Sequence, residues 1–518
     1  MNLRNPARRL AALSLALLPA LATPAPARAQ AAGREAAAAA ALERLRGSPP
    51  RLYAFLREMP KGGDLHSHLS GAVYAESYLR WAVEDSLCIS RRALAVVYPP
   101  CTLTPDTVAA ATVDADQALY DALVDAWSMR NWNAARSSGH DQFFNTFGKF
   151  GASYARVGDE LAEAAHRASE GRVGYLELMQ TPDNGMAASL GMQVLGANAF
   201  APGTAPDFAA YRQALLQGGL ANAVAAARQT LTSIEARRDT VLGCLPGTQR
   251  DPGCGVQVRW LYQVSRGRPP QRVFAQILTG FELAKADPRV VGFNLVQPED
   301  GFVSMRDFTL HMQMIDYLHR LYPQVKISLH AGELAPGLVP PEGMRFHIRQ
   351  SVELGHASRI GHGVDVLYED RPAELMREMA RRGVLVEIAL TSNDGILGVR
   401  GKDHPLAAYR AAGVPTSLVT DDEGVSRSEM TREWVKAVEE QGLGYRDLKA
   451  MARASLEHAF VEGASIWRDG RSFTPAAACA PAAGGFAGSS CAAFAAGSTR
   501  ARLQRDLELA FRDFEAKQ

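Results

Sequence analysis

Eight short apolar runs recur along the chain, and helix-like stretches separate most of them. Runs of this length, rich in branched side chains, predict buried strands. Buried strands that alternate with helices are typical of a parallel (β/α)8 barrel of the TIM type. The alternative, a doubly wound open sheet, lacks support because no glycine-rich phosphate loop follows an early strand. The predicted strands span residues 64–69, 173–178, 256–264, 290–296, 326–330, 358–362, 384–390 and 416–420.

Residues 30–518 are expected to form a single barrel domain with helical insertions near 80–135, 180–255 and 474–498. The second insertion is rich in alanine and predicts helices, and with Met186 it is a candidate for part of a lid. The third is rich in Ala, Gly and Ser and predicts a surface hairpin or loop. An amphipathic helix is expected after it, over residues 499–515.

Residues 1–29 have the organisation of a secretory signal peptide. Three arginines precede an apolar run, 10–21, that is too short to span a bilayer comfortably, and Ala27-Arg28-Ala29 resembles a cleavage site. An uncleaved anchor is the alternative, and Arg8-Arg9 leaves both Sec and Tat export open. Cleavage would remove four arginines and no acids, so the formal charge would change from +1 to −3. We therefore expect an exported protein, periplasmic or secreted, without nucleic acid or membrane as partner.

The six cysteines fall into three close couples, each among small residues, Gly or Pro. An even number of cysteines in an exported protein suggests disulfide bonds. Zinc-ribbon ligands would require CxxC spacing, which is absent. Of the fifteen pairings that six cysteines allow, we predict the three local ones, Cys88–Cys101, Cys244–Cys254 and Cys479–Cys491.

Residues that bind metals follow several of the predicted strands. His66 and His68 lie on the same face of the first strand, because side chains alternate with a period of two. His330 ends the fifth strand, and Asp421 and Asp422 follow the eighth, so that three histidines and one carboxylate are available. Since the C-terminal ends of barrel strands meet at one face, these residues predict a zinc site with a bound water. Such a site lowers the pKa of water from ~16 toward ~7.

Other polar residues near the same strand ends are candidates for proton transfer and substrate binding. Glu333 follows His330 on the same loop and can move a proton, and His362 ends the sixth strand. Asp421 and Asp422 would project to opposite sides of an extended chain, so that one binds metal and the other substrate. A binuclear site would require a bridging lysine or carboxylate at the end of the fourth strand, where Asn294 stands, so one metal is favoured.

Four motifs, in this order, resemble the adenosine deaminase family of the amidohydrolase superfamily. They are HSH at 66–68, SLHAGE at 328–333, RIGHG at 359–363 and TDD at 420–422. The resemblance covers about residues 53–468, apart from the insertions. The sequence MPKGGDLH at 59–66 and the signal peptide also resemble the exported, adenosine-deaminase-growth-factor-like branch.

The resemblance implies hydrolytic deamination of adenosine or a related 6-aminopurine nucleoside, with attack at C6 and release of ammonia. It implies that one zinc ion is bound by His66, His68, His330 and Asp421. By the same resemblance, Glu333 protonates purine N1. His362 orients the attacking hydroxide and assists its deprotonation. Asp422 is implied to hydrogen-bond purine N7.

Two positions depart from the family pattern. Ser70 replaces an aspartate associated with ribose contacts, and Gln297 stands where a glycine usually meets purine N3 through its backbone. The preferred purine therefore stays open, and a zinc hydrolase of another purine or an amide is an alternative. A binding or signalling protein with reduced turnover is a second alternative, which the intact Glu333 and ligand set argue against.

The remaining histidines have no clear partners in the sequence and are interpreted as surface or structural residues: His140, His166, His311, His319, His347, His356, His404 and His458. The phenylalanines of residues 143–150 are interpreted as a buried helix stripe rather than as a ligand platform.

Overall fold

The computed structural model describes residues 25–135, 137–151, 156–201, 203–247 and 250–518. Most of the expected signal peptide therefore lies outside the described residues, and only its end falls in the first helix, Ala25–Leu45. Within the described ranges, no helix has the length and apolar character needed to cross a membrane.

The chain forms the predicted parallel barrel. Its eight strands are β1 Gly62–His68, β2 Val173–Gln180, β3 Gln257–Ser265, β4 Val290–Val296, β5 Lys326–Ala331, β6 Arg359–His362, β7 Leu385–Ile388 and β8 Thr416–Leu418. Each strand pairs with the next in chain order, always in parallel. The predicted strand positions are therefore confirmed, with shifts only at the ends.

The barrel closes where β1 meets the residues that follow β8. The His68 N–H donates to the Asp421 carbonyl at 2.9 Å, and the Asp421 N–H donates to the His66 carbonyl at 2.9 Å. The Thr420 hydroxyl also donates to the buried Asp64 carboxylate at 2.5 Å. Closure therefore joins the first and last predicted metal-ligand segments directly.

Helices cover the barrel and build the insertions. Their bounds are Ala25–Leu45, Pro49–Glu58, Leu69–Ala72, Ala75–Glu84, Gln117–Ala126, Gly139–Thr146, Val157–Glu170, Met186–Leu195, Phe208–Gln217, Leu220–Val241, Pro270–Ala286, Phe302–Arg306, Phe308–Leu321, His347–Glu353, Pro372–Arg382, Leu390–Leu397, Leu406–Ala411, Met430–Glu439, Tyr445–Glu457, Ser489–Ala496 and Thr499–Glu515. The helix predicted over 499–515 is confirmed.

The segment between β1 and β2 has an apolar core of its own. Tyr78, Trp127 and Phe150 are fully buried there, and the Tyr78 and Phe150 rings stack at 4.7 Å. The segment also contains a small antiparallel sheet that the sequence did not predict, made of Cys88–Ser90, Ala95–Val97 and Thr107–Ala109. This unit lies beside the C-terminal end of the barrel, since its helix Gly139–Thr146 packs on helix Leu390–Leu397 after β7.

The other two insertions pack on the outside of the barrel. Helices Met186–Leu195 and Leu220–Val241 contact barrel helices, as the alanine-rich sequence of residues 180–255 predicted. The prediction of a hairpin or loop over residues 474–498 was wrong, because Ser489–Ala496 is a helix. Its Cys491 is buried in a small apolar cluster, so tertiary packing stabilises a segment of low sequence complexity.

All three predicted disulfide pairings are present: Cys88–Cys101, Cys244–Cys254 and Cys479–Cys491. The described residues include no free cysteine.

Candidate active site

Four side-chain atoms converge at the C-terminal end of the barrel. The His330 Nε2 atom lies 3.0 Å from His66 Nε2 and 3.1 Å from His68 Nε2. The Asp421 Oδ1 atom lies 3.4 Å from each of the latter two nitrogens. The strands thus bring together the four residues that the resemblance implies as metal ligands.

The hydrogen bonds on the far side of each ring decide which nitrogen carries the proton. His66 Nδ1 faces Glu387 Oε2 at 2.7 Å, and His330 Nδ1 faces Asn294 Oδ1 at 2.9 Å. His68 Nδ1 faces the side-chain oxygen of Gln263 at 3.2 Å. Because these oxygens accept hydrogen bonds, each Nδ1 donates, and each Nε2 presents a lone pair to the shared point.

This arrangement fits a transition-metal ion. Three lone pairs and a carboxylate oxygen directed at one point repel one another unless a cation lies between them. Ligand atoms about 2.0–2.1 Å from a tetrahedral zinc ion lie about 3.3–3.4 Å apart, close to the distances found here. Three imidazole nitrogens are typical ligands of zinc, whereas magnesium and calcium are bound mainly by oxygen atoms.

Burial tunes the charges of these groups. Burial lowers the pKa of His68 to about 4 and that of His330 well below its usual value. Although burial opposes ionisation of Asp421, its hydrogen bond with His66 and the nearby histidines hold its pKa well below the usual range. The Ser392 hydroxyl donates to Asp421 Oδ2 at 2.7 Å, which leaves Oδ1 turned toward the histidines. Burial opposes ionisation of His66 as well, but its hydrogen bonds with two buried carboxylates raise its pKa to about 10, so a metal ion would displace a proton from this ring on binding.

Asp421 and Asp422 both line the same cavity. The prediction that they project to opposite sides was wrong, because it assumed an extended chain and Asp421 has a left-handed φ of +58°. Burial, then the neighbouring Asp421 charge, raises the pKa of Asp422 well above its usual value, so this carboxyl is neutral. A Cβ on Gly71 would lie 1.5 Å from Asp422 Oδ1, so only glycine leaves room for it there.

Glu333 is held over the same cavity by a buried carboxylate that the sequence reading passed over. Glu299 accepts hydrogen bonds from the Gly332 N–H at 3.0 Å and the Glu333 N–H at 2.9 Å, and His347 Nδ1 lies 2.5 Å from it. Gly332 has a φ of +76°, which glycine adopts at little cost. Burial, and then the charge of Asp421, raises the pKa of Glu333 to about 8, so it carries a proton at neutral pH.

His362 lies beside the ligands but is bonded differently. Its Nδ1 faces the Asn393 side-chain nitrogen at 3.0 Å, and its Nε2 lies 3.8 Å from Glu333 Oε1. The Nε2 atom is buried, with no hydrogen-bond partner among the described residues. Burial lowers the pKa of His362 to about 4, which keeps the ring neutral.

The cavity has a volume of about 470 Å³ and one aromatic wall. Phe144 and Phe147 are half-buried and line it, together with the more deeply buried Phe143. The interpretation of this stripe as core alone was therefore incomplete, since one helix contributes to both core and cavity. None of the described residues of the 180–255 insertion lines the cavity, and Met186 is 43% exposed. The described residues thus show no contact between this insertion and the cavity, and a role in a lid stays a prediction.

Ser70 and Gln297, the two departures from the family pattern, both line the cavity. Gln297 has a φ of +83°, a backbone conformation that explains why glycine is usual at this position. Its side-chain oxygen accepts a hydrogen bond from the Gly267 N–H at 2.9 Å, so the amide is turned against the chain after β3. The Ser70 carbonyl accepts a hydrogen bond from Tyr78 at 2.8 Å.

Buried charged side chains inside the barrel form ion pairs next to the ligand His66. Glu387 contacts His66 on one side and Arg359 on the other, with its Oε1 2.6 Å from Arg359 Nε. Arg359 also donates to Glu177 Oε2 at 2.5 Å, and all these side chains are fully buried. A glutamate in the middle of the apolar strand β7 was the sequence signal for this network. Because a buried unpaired carboxylate is costly, it indicates a partner.

Several histidines interpreted as structural have partners after all. His347 pairs with Glu299, and His404 contacts Asn393 behind His362. His140, on helix Gly139–Thr146, faces Asp300 at 2.9 Å on the loop after β4. The partners of His347 and His140 are remote in sequence, so only contacts across the fold reveal them.

A family model described as "Adenosine deaminase" matches residues 102–465, more than two thirds of the chain. The chain belongs to the adenosine deaminase family. The matched range begins after β1, so it does not include His66 and His68, which the fold places against the other ligands. Membership of this family indicates that the protein is an aminohydrolase.

Curated relatives from bacteria match parts of the chain. It is 28% identical over 213 residues to an adenine deaminase of Rhizobium rhizogenes, covering 41% of this chain and 60% of the relative. It is 38% identical over 138 residues to an adenosine deaminase of Serratia proteamaculans, covering 26% of this chain and 38% of the relative. The chain thus spans about 60% or less of the length of these relatives.

Among solved structures, the chain is similar to an amidohydrolase from Burkholderia ambifaria with bound Zn. The TM-score is 0.49 at 16% identity, over 90% of this chain and 95% of the other. It is also similar to an N6-mAMP deaminase of Arabidopsis, with a TM-score of 0.47 at 19% identity, over 79% of this chain and 96% of the other.

Proposed function

We propose that the protein is a zinc aminohydrolase that deaminates a 6-aminopurine nucleoside, with adenosine as the first candidate substrate. The observation that carries this proposal is that three of the four convergent ligand residues line the same cavity as two neutral carboxyl groups, Glu333 and Asp422. A carboxyl group kept neutral by burial can donate a proton or a hydrogen bond at neutral pH.

His66, His68, His330 and Asp421 would hold the zinc ion, one per chain. When bound, zinc supplies an activated water as nucleophile at neutral pH. The Nδ1 contacts to Glu387, Gln263 and Asn294 would keep the three rings oriented, as hydrogen-bond partners of metal-binding histidines generally do.

The two neutral carboxyl groups match two acceptor atoms of a 6-aminopurine. Glu333 would deliver its proton to N1, which lets the ring accept electrons as C6 is attacked. Asp422 would donate a hydrogen bond to N7, an acceptor that an ionised carboxylate would repel. The two groups thus account for a purine better than for a simple amide, which has no second ring nitrogen to bind.

The rest of the cavity accommodates more than a bare base. A volume of about 470 Å³ lies within the range of small-molecule sites. Phe144 and Phe147 provide apolar faces for stacking, and Ser70 and Gln297 provide polar atoms at positions where the family contacts ribose or purine N3. These features favour a nucleoside, while adenine and adenosine 5′-monophosphate are the competing substrates to be tested.

A spectrophotometric assay with adenosine, 2′-deoxyadenosine, adenine and adenosine 5′-monophosphate tests the proposal. We expect ammonia release and the highest kcat/KM with a nucleoside, and no turnover after zinc is removed by chelation. Restored activity on adding zinc to the stripped protein is the positive control. Absence of turnover on all four compounds by zinc-loaded, folded protein would overturn the proposal in favour of the two alternatives, a zinc hydrolase of another purine or an amide and a binding or signalling protein.

We also propose that the protein is exported, to the periplasm or the medium, and that residues 1–29 are removed. The pairing of all six cysteines supports an oxidising compartment. Mass analysis of the N-terminus and of non-reduced peptides from an expressing bacterium tests this. An N-terminus at Gln30 with three intact disulfides is expected, and an intact leader with free thiols would contradict it.

A further inference from the structure

His362 differs from the three ligand histidines in the group that faces its Nδ1. Each ligand histidine has an oxygen acceptor there, whereas His362 has the Asn393 side-chain nitrogen at 3.0 Å. That nitrogen belongs to an amide group and donates. The Nδ1 atom of His362 must therefore accept, and in the neutral ring the proton lies on Nε2.

His404 and the backbone N–H of Leu406 determine which atom of the Asn393 amide faces His362. The Leu406 backbone N–H donates to His404 Nδ1 at 3.2 Å, so the proton of neutral His404 lies on its Nε2. His404 Nε2 then donates to the Asn393 oxygen at 3.1 Å. This leaves the Asn393 nitrogen for His362. Because a backbone N–H can only donate, every hydrogen bond in this series has a single possible donor and acceptor.

Reversing donors and acceptors in this series would be costly, because all three side chains are buried. His362 is 1% exposed, Asn393 0% and His404 3%. A flipped Asn393 amide would bring its nitrogen against His404 Nε2–H, so that two donors would face each other among buried side chains. Leaving a buried polar group without a hydrogen-bond partner is costly, so a single arrangement is strongly favoured.

We propose that Asn393 and His404 are positioning residues that hold the proton of His362 on Nε2. His362 then donates a hydrogen bond into the cavity and does not accept a proton from it. The buried His362 Nε2 has no protein partner among the described residues, and His362 lines the cavity. Its proton is therefore available to an oxygen atom of the nucleophile or of the tetrahedral adduct at C6. This keeps the orienting role that the family resemblance implies for His362 and replaces the implied deprotonation by hydrogen-bond donation, and its kinetic part rests on the proposed function.

The tautomer itself can be measured without turnover. Nitrogen-15 NMR of protein labelled in its histidine rings, with His362→Gln used to assign the missing signals, reports which ring nitrogen carries the proton. We expect His362 to be protonated at Nε2 and bare at Nδ1, both with and without zinc. A proton on Nδ1 of His362 would overturn the proposal whatever the enzyme's substrate.

Substitution of Asn393 tests the positioning role. Asn393→Asp keeps the shape but places an acceptor at His362 Nδ1, so it should move the proton to Nδ1 and remove the donor from the cavity. Loss of one such donor typically costs ~10²–10³-fold in kcat. We expect a fall of this size with KM changed by less than about threefold, and the NMR signals of His362 should invert.

Two variants at His404 distinguish loss of its hydrogen bond to Asn393 from loss of its packing. His404→Gln keeps an N–H donor at the place of Nε2 and should retain kcat within about threefold, whereas His404→Leu removes the donor and should lower kcat by ~10-fold. Equal losses in both variants, or an Asn393→Asp variant with normal kcat and full zinc, would refute the positioning role. Wild-type protein inactive on every 6-aminopurine would instead refute the proposed function, while the NMR result would still decide the tautomer.

Discussion

The two sides of the cavity are built from different parts of the chain. The ligand side consists of residues at the ends of barrel strands, such as His66 and His330, which are nearly fully buried and hydrogen-bonded through Nδ1. The aromatic side comes from helix Gly139–Thr146 and the residues after it, where Phe144 and Phe147 are half-buried. This side packs in the apolar core of the insertion, and the His140–Asp300 contact is one of its polar links to the loops of the barrel.

We infer that the ligand side serves the chemical step and that the aromatic side serves substrate binding. The sheet fixes the backbone at the ends of paired strands, and hydrogen bonds hold the side chains there in one orientation. Reactive groups require such fixed positions. A helix from an insertion can change its side chains without disturbing the barrel. We therefore expect substitutions on the ligand side to change metal content and kcat, and those on the aromatic side to change KM.

The largest effect is expected from removing a ligand. His66→Ala or Asp421→Ala should lose zinc and activity together, because each removes one of the convergent atoms. Metal analysis after dialysis, together with circular dichroism to check folding, provides the measurement. Full zinc content in both variants would refute the ligand assignment.

The next effect concerns the proposed acid. Glu333→Gln keeps the size and hydrogen-bonding ability of the side chain but cannot deliver a carboxylic proton, so kcat should fall ~10²–10⁴-fold. Zinc content and KM should change little, since the contacts with bound substrate survive. Glu342→Gln, at an exposed position, is the control and should behave as wild type. A Glu333→Gln rate within about threefold of wild type would leave the mechanism without its acid.

On the aromatic side, Phe144→Ala or Phe147→Ala should raise KM by ~10-fold and leave zinc content unchanged, because stacking of a base on an aromatic ring contributes ~1–3 kcal/mol. Phe143→Ala should instead lower thermal stability, since Phe143 is 2% exposed and packs in the core of the insertion. Steady-state kinetics and melting curves measure the two outcomes. A fall in kcat without a change in KM in the Phe144 variant would show that the two sides are not separable.

The smallest effect is expected at the contact between the aromatic side and the barrel. The hydrogen bond with Asp300 raises the pKa of His140 to about 8. A pKa raised in the folded state means that the pair stabilises the protein fully below about pH 6.5, and that this is lost as pH rises through about 8. Because the pair is partly exposed, at most about 1 kcal/mol is expected.

Melting temperatures of wild type and His140→Gln across pH measure this effect. The variant should melt lower at pH 6 and match wild type above pH 9. Asp300→Asn should give the same pattern if the pair is responsible. A pH-independent difference would mean that packing, rather than charge, links His140 to the barrel.

The sequence alone was enough to predict the barrel and the residues that converge at its mouth. Apolar runs at regular intervals specify parallel strands, and in such a barrel all strand ends of one polarity meet at one face. His66 and Asp421, hundreds of residues apart, could therefore be placed together before any coordinates were known. The local cysteine pairs were predictable for a related reason, since short loops limit their choice of partner.

Tertiary structure decided what each of these groups is bonded to. Whether His362 accepts or donates at Nδ1 depends on Asn393 and, behind it, His404, and no spacing in the sequence encodes that order. The left-handed φ angles of His362 and Asp421, which turn these side chains into the cavity, also have no sequence signature. Hydrogen-bond direction and burial depend on contacts between remote segments, and it is these that set the proton on a ring and the charge on a carboxyl group.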